Sequence, residues 1–352
     1  MINRNSHIPL YIQLSDLIRK QIEQGMIKPG DKLLSESEMI QQYQLGRLTI
    51  REALALLANE GLIEKHHGKG TYCKSSSVQK KQLKIDVLLD MADDYFVQYY
   101  LQSICGVLET KNVNVIVNDT KNKTENICTI VQKILLNGSD GVLIKPCMKI
   151  EPANEEFAVL TAELIKRGIP YIMIDNKYDH VPPSYVIVNE EKVGALAADY
   201  FLHCNHSALC MICCSNYKDS VSRMEGFMQQ LSCKPYIIEY DNRLEKNLKD
   251  MLCNHPEITG IFCYNDLVAR DCMNILSALN ISIPERISII SVDDTVIATT
   301  VKPSLTSISH PKGALGTEAA QAILSIISGE SAWPYQKIFE PELIERKSCK
   351  CL

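Results

Sequence analysis

Between residues 84 and 294, eight short strand-like runs with continuous apolar centres are separated mostly by stretches of helical character. They are "KIDVLLD" (84–90), "NVIVND" (114–119), "GVLIK" (141–145), "YIMID" (171–175), "ALCMICC" (208–214), "YIIEY" (236–240), "GIFCYND" (260–266) and "ISIISVDD" (287–294). Strands with so little polar alternation need cover on both faces. Helices between them supply it, so the pattern dictates parallel sheets of the α/β class. Eight such units overfill one small sheet, so two lobes around a cleft are the natural division. Polar residues gather at the C-terminal ends of the runs: Asp90, Asn118, Asp119, Lys145, Asp175, Asn265, Asp266, Asp293 and Asp294. Open α/β sheets bind their ligands at those ends.

The first 80 residues follow another rule. Leu10, Leu14, Leu17, Ile18 and Ile22 share one helical face over residues 10–27. After the turn "KPGD", "SESE" offers a capping box with Ser35 as cap and Glu38 three residues on. A second helix runs to about Tyr43 and is expected to break at Gly46. A third carries Ile50, Ala53, Leu54 and Leu57 on its core stripe and ends near Glu60. "EGLIEKHHGKGTYC" (60–73) reads as strand, Gly-rich tip, strand. Three helices and a hairpin make a winged helix-turn-helix, and "KSSSVQKKQLK" (74–84) has the composition of a linker. The expected domains are residues 1–74 and 83–348, joined by 75–82.

Length and composition agree with two modules. The chain has 352 residues, 46% of them hydrophobic, and a net charge of −5 that speaks against a wholesale polyanion binder. No apolar run approaches a membrane span, and the N-terminus lacks the apolar core of a secretory signal, so a cytoplasmic protein is expected. Fourteen cysteines then read as small apolar thiols of a reducing compartment. The densest cluster, "HCNHSALCMICC" (203–214), lacks the paired spacings of a structural zinc site, and no metal or other cofactor is expected. The terminal "SCKCL" reads as a frayed tail.

In the third helix, "LGRLTIREAL" (45–54) places Arg47 and Arg51 four residues apart. Around a stripe centred on Ile50 and Leu57, Arg51, Leu48 and Ala55 fall on the side leaving the core. An arginine fork can bind a guanine edge or a phosphate bidentately. Leu48 is open to two readings, a rim residue of the core or a contact to a thymine methyl. At the hairpin tip, "HHGKG" lacks the spacing of a phosphate loop, and adjacent histidines on a strand point to opposite faces. Gly68, Lys69 and Gly70 fit a wing reaching DNA, with glycines for close approach and a lysine for charge.

The run from Pro9 to Tyr72 resembles the GntR family of winged-helix regulators, through "GMIKPGDKL", "RLTIREAL" and "GKGT" in family order. Leu34 and Gly46 depart from that pattern, standing where proline and serine are usual. The resemblance implies DNA contacts from Ser37, Arg47, Leu48, Thr49, Arg51, Gly68, Lys69 and Gly70. Residues 83–348 resemble the sugar-binding effector domain of LacI/GalR-type regulators. "CYNDLVAR", "PERISIISVDD", "LTSISHPKGALG" and "FEPELIERKS" narrow this to arabinose repressors of the AraR type. Lys145, where an acid is usual, and Ser291, where glycine is usual, depart from it.

The implied architecture is a winged helix-turn-helix followed by a two-lobed, periplasmic-binding-protein-like (Rossmann-like) domain. The implied effector residues are Tyr99, Tyr100, Lys145, Asp175, Arg223, Asn265, Asp293 and His310. Sugars need acceptors for vicinal hydroxyls and an aromatic wall, and this set contains both. If Lys145 faces the cleft, it could pair with a carboxylate or phosphate on the ligand, which would shift the effector from a neutral pentose towards a uronate or sugar phosphate. The implied function is a homodimeric repressor on double-stranded operator DNA, released by a small sugar. No Schiff-base lysine, Ser-His-Asp arrangement or nucleophile elbow is apparent, so no catalytic residue is assigned. A transport binding protein shares the two-lobed fold, but the DNA-binding module and the missing signal segment argue against it.

Overall fold

The computed structural model describes residues 9–66, 69–74, 82–91, 97–151 and 154–352. The chain divides into two compact units, one ending at Gln82 and one running from Leu83 to Leu352.

The first unit packs three helices, α1 (Leu10–Glu23), α2 (Glu36–Tyr43) and α3 (Arg47–Asn59), with a hairpin of β1 (Ile63–His66) and β2 (Gly70–Cys73). Leu14, Ile18, Met39, Ile50, Leu54, Leu57 and Ile63 form its core, which joins each helical stripe to the foot of the wing. The capping box at α2 is present: the Ser35 amide donates to Glu38 Oε2 at 2.7 Å, and the Glu38 amide to Ser35 Oγ at 3.3 Å. The break between α2 and α3 lies at Gln44, whose φ is +55°, and not at Gly46, which is extended at −65° and precedes the first turn of α3. A left-handed residue ends a helix by turning its chain away. Helix α1 stops at Glu23, short of the expected residue 27, where Gly25 takes a φ of +71°.

The second unit is two lobes of six strands each. Its first stretch runs β3 (Lys84–Leu89), α4 (Val97–Glu109), β4 (Asn114–Asp119), α5 (Thr124–Asn137), β5 (Gly141–Ile144), α6 (Glu155–Lys166), β6 (Tyr171–Asp175) and β7 (Tyr185–Val188). The second runs α7 (Glu190–His203), β8 (Leu209–Cys213), α8 (Lys218–Gln230), β9 (Tyr236–Glu239), α9 (Leu244–Asn254), β10 (Gly260–Cys263), α10 (Asp266–Ala278), β11 (Ser288–Asp293), α11 (Val296–Thr300) and β12 (Thr306–Ser309). Helix α12 (Lys312–Ile327) and β13 (Gln336–Phe339) return to the first lobe, and β14 (Leu343–Ile344) goes back to the second.

The sheet orders are β13-β7-β6-β5-β3-β4 and β14-β12-β11-β10-β8-β9, parallel throughout except for β14. The chain therefore changes lobe three times: after β7, after β12 and after β13. Central strands β5, β8, β10 and β11 are buried along their whole length, as continuous apolar runs require.

Four strands lie outside the eight expected. Strand β12 buries Thr306 and Ser307, whose hydroxyls bond within the core, so its sequence looks polar. Strand β13 is an exposed edge with no apolar signature, while β7 and β14 are short. The C-terminal residues are not frayed. The Ile289 amide donates to the Ser348 carbonyl at 2.8 Å, the Leu352 amide donates to the Cys204 carbonyl at 3.0 Å, and Cys349 is buried in the core. Pairing the tail with β11 satisfies backbone groups that would otherwise be left inside.

Candidate functional site

Helix α3 buries Ile50, Ala53, Leu54 and Leu57 and turns the opposite face to solvent. Arg47 and Arg51 are exposed there, with Thr49 half-buried at the edge. Leu48 is 72% exposed, so it is no part of the core rim. Ser37 is exposed on α2, and Lys69 and Gly70 are exposed at the wing tip. Gly68 lies outside the described residues. Gly70 has a φ of +121°, a region L side chains rarely adopt. One residue of this face carries no signal in the sequence reading. Glu36, first in α2, accepts from Arg51 Nε at 2.9 Å and lies 3.8 Å from Lys65 Nζ.

In the second unit a cavity of about 500 Å³ opens between the lobes. Asp90, Lys145, Asp175, Arg223, Asn265, Asp293 and His310 line it, with Tyr217 and Tyr264 as an aromatic wall. The two rings stack with centroids 6.2 Å apart. Strand ends deliver Asp90, Lys145, Asp175 and Asp293, and His310 lies on the second crossing between lobes.

Charged side chains form a continuous row across the cleft floor. Lys145 Nζ lies 2.9 Å from Asp175 Oδ2, and His310 Nε2 lies 3.0 Å from Asp175 Oδ1 and 3.7 Å from Glu190 Oε1. Arg223 Nε donates to Glu190 Oε2 at 2.6 Å and its Nη1 to the Tyr264 carbonyl at 2.8 Å, with Asp219 3.7 Å away. Burial works against the ionised form of Asp175, but Lys145 and His310 hold it well below the usual carboxylate range. Burial likewise works against Arg223, and Glu190 and Asp219 outweigh it, holding its pKa well above the usual value.

Two helix contacts bring this row together. A Cβ on Gly194 would fall 1.8 Å from the Arg223 carbonyl oxygen, and one on Gly226 would fall 1.9 Å from that of Glu191. Only glycines let α7 and α8 touch backbone to backbone, and that contact sets Glu190 beside Arg223.

The turn after β11 carries Asp293 with a φ of +104°. Asp293 is 3% exposed, and among the described residues neither carboxylate oxygen has a hydrogen-bond partner. Asp266, beneath it, caps no helix. Its carboxylate accepts from Ser291 Oγ at 2.6 Å, Ser307 Oγ at 2.8 Å and the Thr295 amide at 2.7 Å. Ser291, where the resemblance leads one to expect glycine, thus anchors the turn. The mouth of the cleft is bridged too. The Ile150 amide donates to the Asn216 carbonyl at 2.8 Å, and the Lys218 amide to the Met148 carbonyl at 3.2 Å. Lys218 Nζ also sits 5.6 Å from the centre of the Tyr178 ring.

Six of the eight effector candidates therefore line the cavity, and Tyr99 and Tyr100 do not. Consecutive helix residues point about 100° apart, so both could not face inward. Tyr100 shares the buried stripe of α4 with Ile104 and Leu108 and packs 5.9 Å from the Lys145 ammonium, while Tyr99 is 38% exposed on the outside. The reading missed Glu190, Asp219, Tyr217 and Tyr264. The spacing of Asp219 and Arg223, one helical turn apart, was a legible signal.

Among the described residues, no group of three His, Cys, Asp or Glu side chains is arranged to hold a metal ion, and no helix is long and apolar enough to cross a membrane. A winged helix joined to a two-lobed binding domain defines a ligand-responsive regulator. A profile of bacterial regulatory proteins of the gntR family matches residues 10–73, and one of a periplasmic binding protein-like domain matches residues 198–349. The chain is 28% identical over 360 residues to an arabinose metabolism transcriptional repressor of Geobacillus stearothermophilus, covering 97% of this chain and 98% of that one. It is 27% identical over 355 residues to one of Halalkalibacterium halodurans, covering 94% of each. A LacI family regulator of Enterococcus faecalis V583 with bound ribose shares the fold, at a TM-score of 0.65 and 24% identity over 76% of this chain and 99% of that one. The chain is a transcription regulator and not an enzyme. Its first module belongs to the gntR family of bacterial regulatory proteins, and its second is a LacI-type, periplasmic-binding-protein-like domain.

Proposed function

We propose that the protein is a cytoplasmic, homodimeric repressor of carbohydrate-utilisation genes, released from operator DNA by a small neutral sugar of the arabinose class. The DNA contacts are assigned to Ser37, Arg47, Leu48, Thr49, Arg51 and the wing at Gly68–Gly70 of a module spanning residues 1–74. The effector contacts are assigned to Lys145, Asp175, Arg223, Asn265, Asp293 and His310 in residues 83–348.

One observation carries the choice of effector. The cleft cations are already matched, Lys145 by Asp175 and Arg223 by Glu190, whereas among the described residues three carboxylate oxygens of the cleft accept no hydrogen bond: both Asp293 oxygens and Asp219 Oδ1. Such a site asks for donors. Sugar hydroxyls supply them, and a phosphate or carboxylate would bring further negative charge beside carboxylate oxygens that still lack a donor. The near relatives named for arabinose metabolism support the same reading.

The test is thermal unfolding against L-arabinose, other pentoses, hexoses, uronates and sugar phosphates. A bound ligand raises Tm by mass action. A neutral sugar should do so and should also release the protein from an operator selected out of random duplexes. A shift with uronates or sugar phosphates alone would overturn the assignment.

A further inference from the structure

Asp293 is the acid most exposed to question, because its left-handed backbone is strained and no hydrogen bond aims its carboxylate. The turn is held from around it. The Asp294 amide donates to Ser307 Oγ at 3.0 Å, and Arg346 Nη2 lies 2.6 Å from Asp294 Oδ1. One further group comes from elsewhere in the fold. Lys312, 5% exposed, donates through Nζ to the Asp293 carbonyl at 2.8 Å and to the His310 carbonyl at 3.3 Å, and the same ammonium lies 3.8 Å from Asp293 Oδ1.

Lys312 is the first residue of α12, which packs against α4 of the first lobe, while Asp293 ends β11 of the second. A cation from one lobe's helix thus grips the main chain of the other lobe's ligand turn, beside the second crossing. Burial lowers the pKa of Lys312, and Asp293, Asp175 and Asp266 oppose that effect.

We infer that Lys312 is a positioning residue for the effector: it touches no ligand but fixes the Asp293 turn and balances its carboxylate across the two lobes. This rests on the assignment of Asp293 as an effector contact. Without Lys312 the turn would lose the bond that holds its main chain and the cation 3.8 Å from Asp293 Oδ1, so effector affinity should fall. Operator affinity without effector should stand, because Lys312 lies in the other unit from the winged helix.

The experiment is calorimetric titration of the full chain with L-arabinose, D-xylose and D-ribose. If the wild type binds none of these, the sugar assignment fails before Lys312 is tested. With a binding sugar in hand, Lys312→Met, Asp293→Asn and the double variant are titrated in turn. Each single variant should bind on the order of tenfold more weakly or worse. The double variant should be no more than about threefold weaker than the poorer single, because both changes disable one unit. Wild-type affinity in Lys312→Met, or losses that multiply in the double variant, would overturn the inference. Should Lys312→Met not melt cooperatively, Lys312→Arg is set against Lys312→Gln. The charged variant must bind about tenfold tighter, and equal affinities reject the role.

Discussion

The Arg51 guanidinium is held by Glu36, Nε to Oε2 at 2.9 Å, and so ties α3 to the first residue of α2 on the face to which DNA contacts are assigned. The bond takes up the Nε donor, and the Arg51 side chain stays 58% exposed. As an exposed ion pair it adds little to stability, up to about 1 kcal/mol. Its effect is on aim.

Replacing Arg51 by Ala should cost ~1–3 kcal/mol of operator binding and relax discrimination at one base position. Glu36→Gln should leave Tm nearly unchanged. It removes a negative charge beside the duplex, so random DNA should bind more tightly while the ratio of operator to random affinity falls. Competition titrations of both variants read this directly, and an unchanged ratio for Glu36→Gln would show that the pair does not orient Arg51.

Lys69→Ala should act differently. A lysine on a phosphate contributes evenly to all sequences, so binding should weaken uniformly and the salt slope should drop by about one. A base-dependent loss would place Lys69 in the groove.

In the cleft, Arg223→Ala leaves buried Glu190 with only the more distant His310, 3.7 Å away, and should cost up to about 3–5 kcal/mol of stability. Asp293→Ala removes an acceptor and should be milder. Both variants should lose release from operator by sugar, giving permanent repression. DNA titration with and without sugar decides the matter: a variant still released at the wild-type sugar concentration would remove that residue from the site.

The bridge at the cleft mouth should control exchange. Lys218→Ala gives up the cation over Tyr178 and the weak bond to the Lys177 carbonyl, 3.3 Å long. Sugar should dissociate several-fold faster with a smaller change in association rate, as interface changes usually show. Stopped-flow fluorescence measures both, and an unaltered dissociation rate would mean that the mouth is held by its main-chain bonds alone.

Asp175 gives a pH signature. Its pKa in the fold lies below the ordinary ~3.9, so its contribution to stability is present above that value and is lost as pH falls through the depressed one. Lys145→Met removes the nearer cation and should cost about 3–5 kcal/mol near pH 7. The gap between variant and wild type should narrow on acidification towards and below pH ~4. Urea midpoints at several pH values test this, and a constant gap would show that Lys145 and Asp175 do not act as a pair.

How much of this was legible follows from what each residue must do. The inner strands among the eight announce themselves because parallel strands covered by helices are apolar on both faces, and the edge strands β4 and β9, only partly buried, still carry apolar centres. Strand β12 does not, since Ser307 was placed inside to serve Asp266, and a buried hydroxyl reads like a loop. Helical phase was available for Tyr99 and Tyr100, and it separates them. Lys145 looked like an open cation because its partner lies thirty residues on, a distance only the fold can close. Glu190 was hidden among acids that any helix start favours. Its signal was instead Gly194, a glycine inside a helix, where one is costly unless another backbone must come close.

The three crossings between lobes have a consequence during synthesis. The first sheet is laid down through β7 by residue 188, but its edge strand β13 begins only at Gln336, and α12, which covers β5 and β6, begins at Lys312. At ~5–20 residues per second the ribosome needs roughly 7–30 s to span that interval. Meanwhile β7 is an open strand edge, and the sheet face later sealed by Leu315, Ala319 and Ile323 stays wet. Nascent chains stalled before residue 312 should therefore be protease-sensitive in residues 84–188, and those stalled well past 339 should be protected. The lobe that starts first finishes nearly last, and the growing polypeptide carries an open sheet edge for the time between.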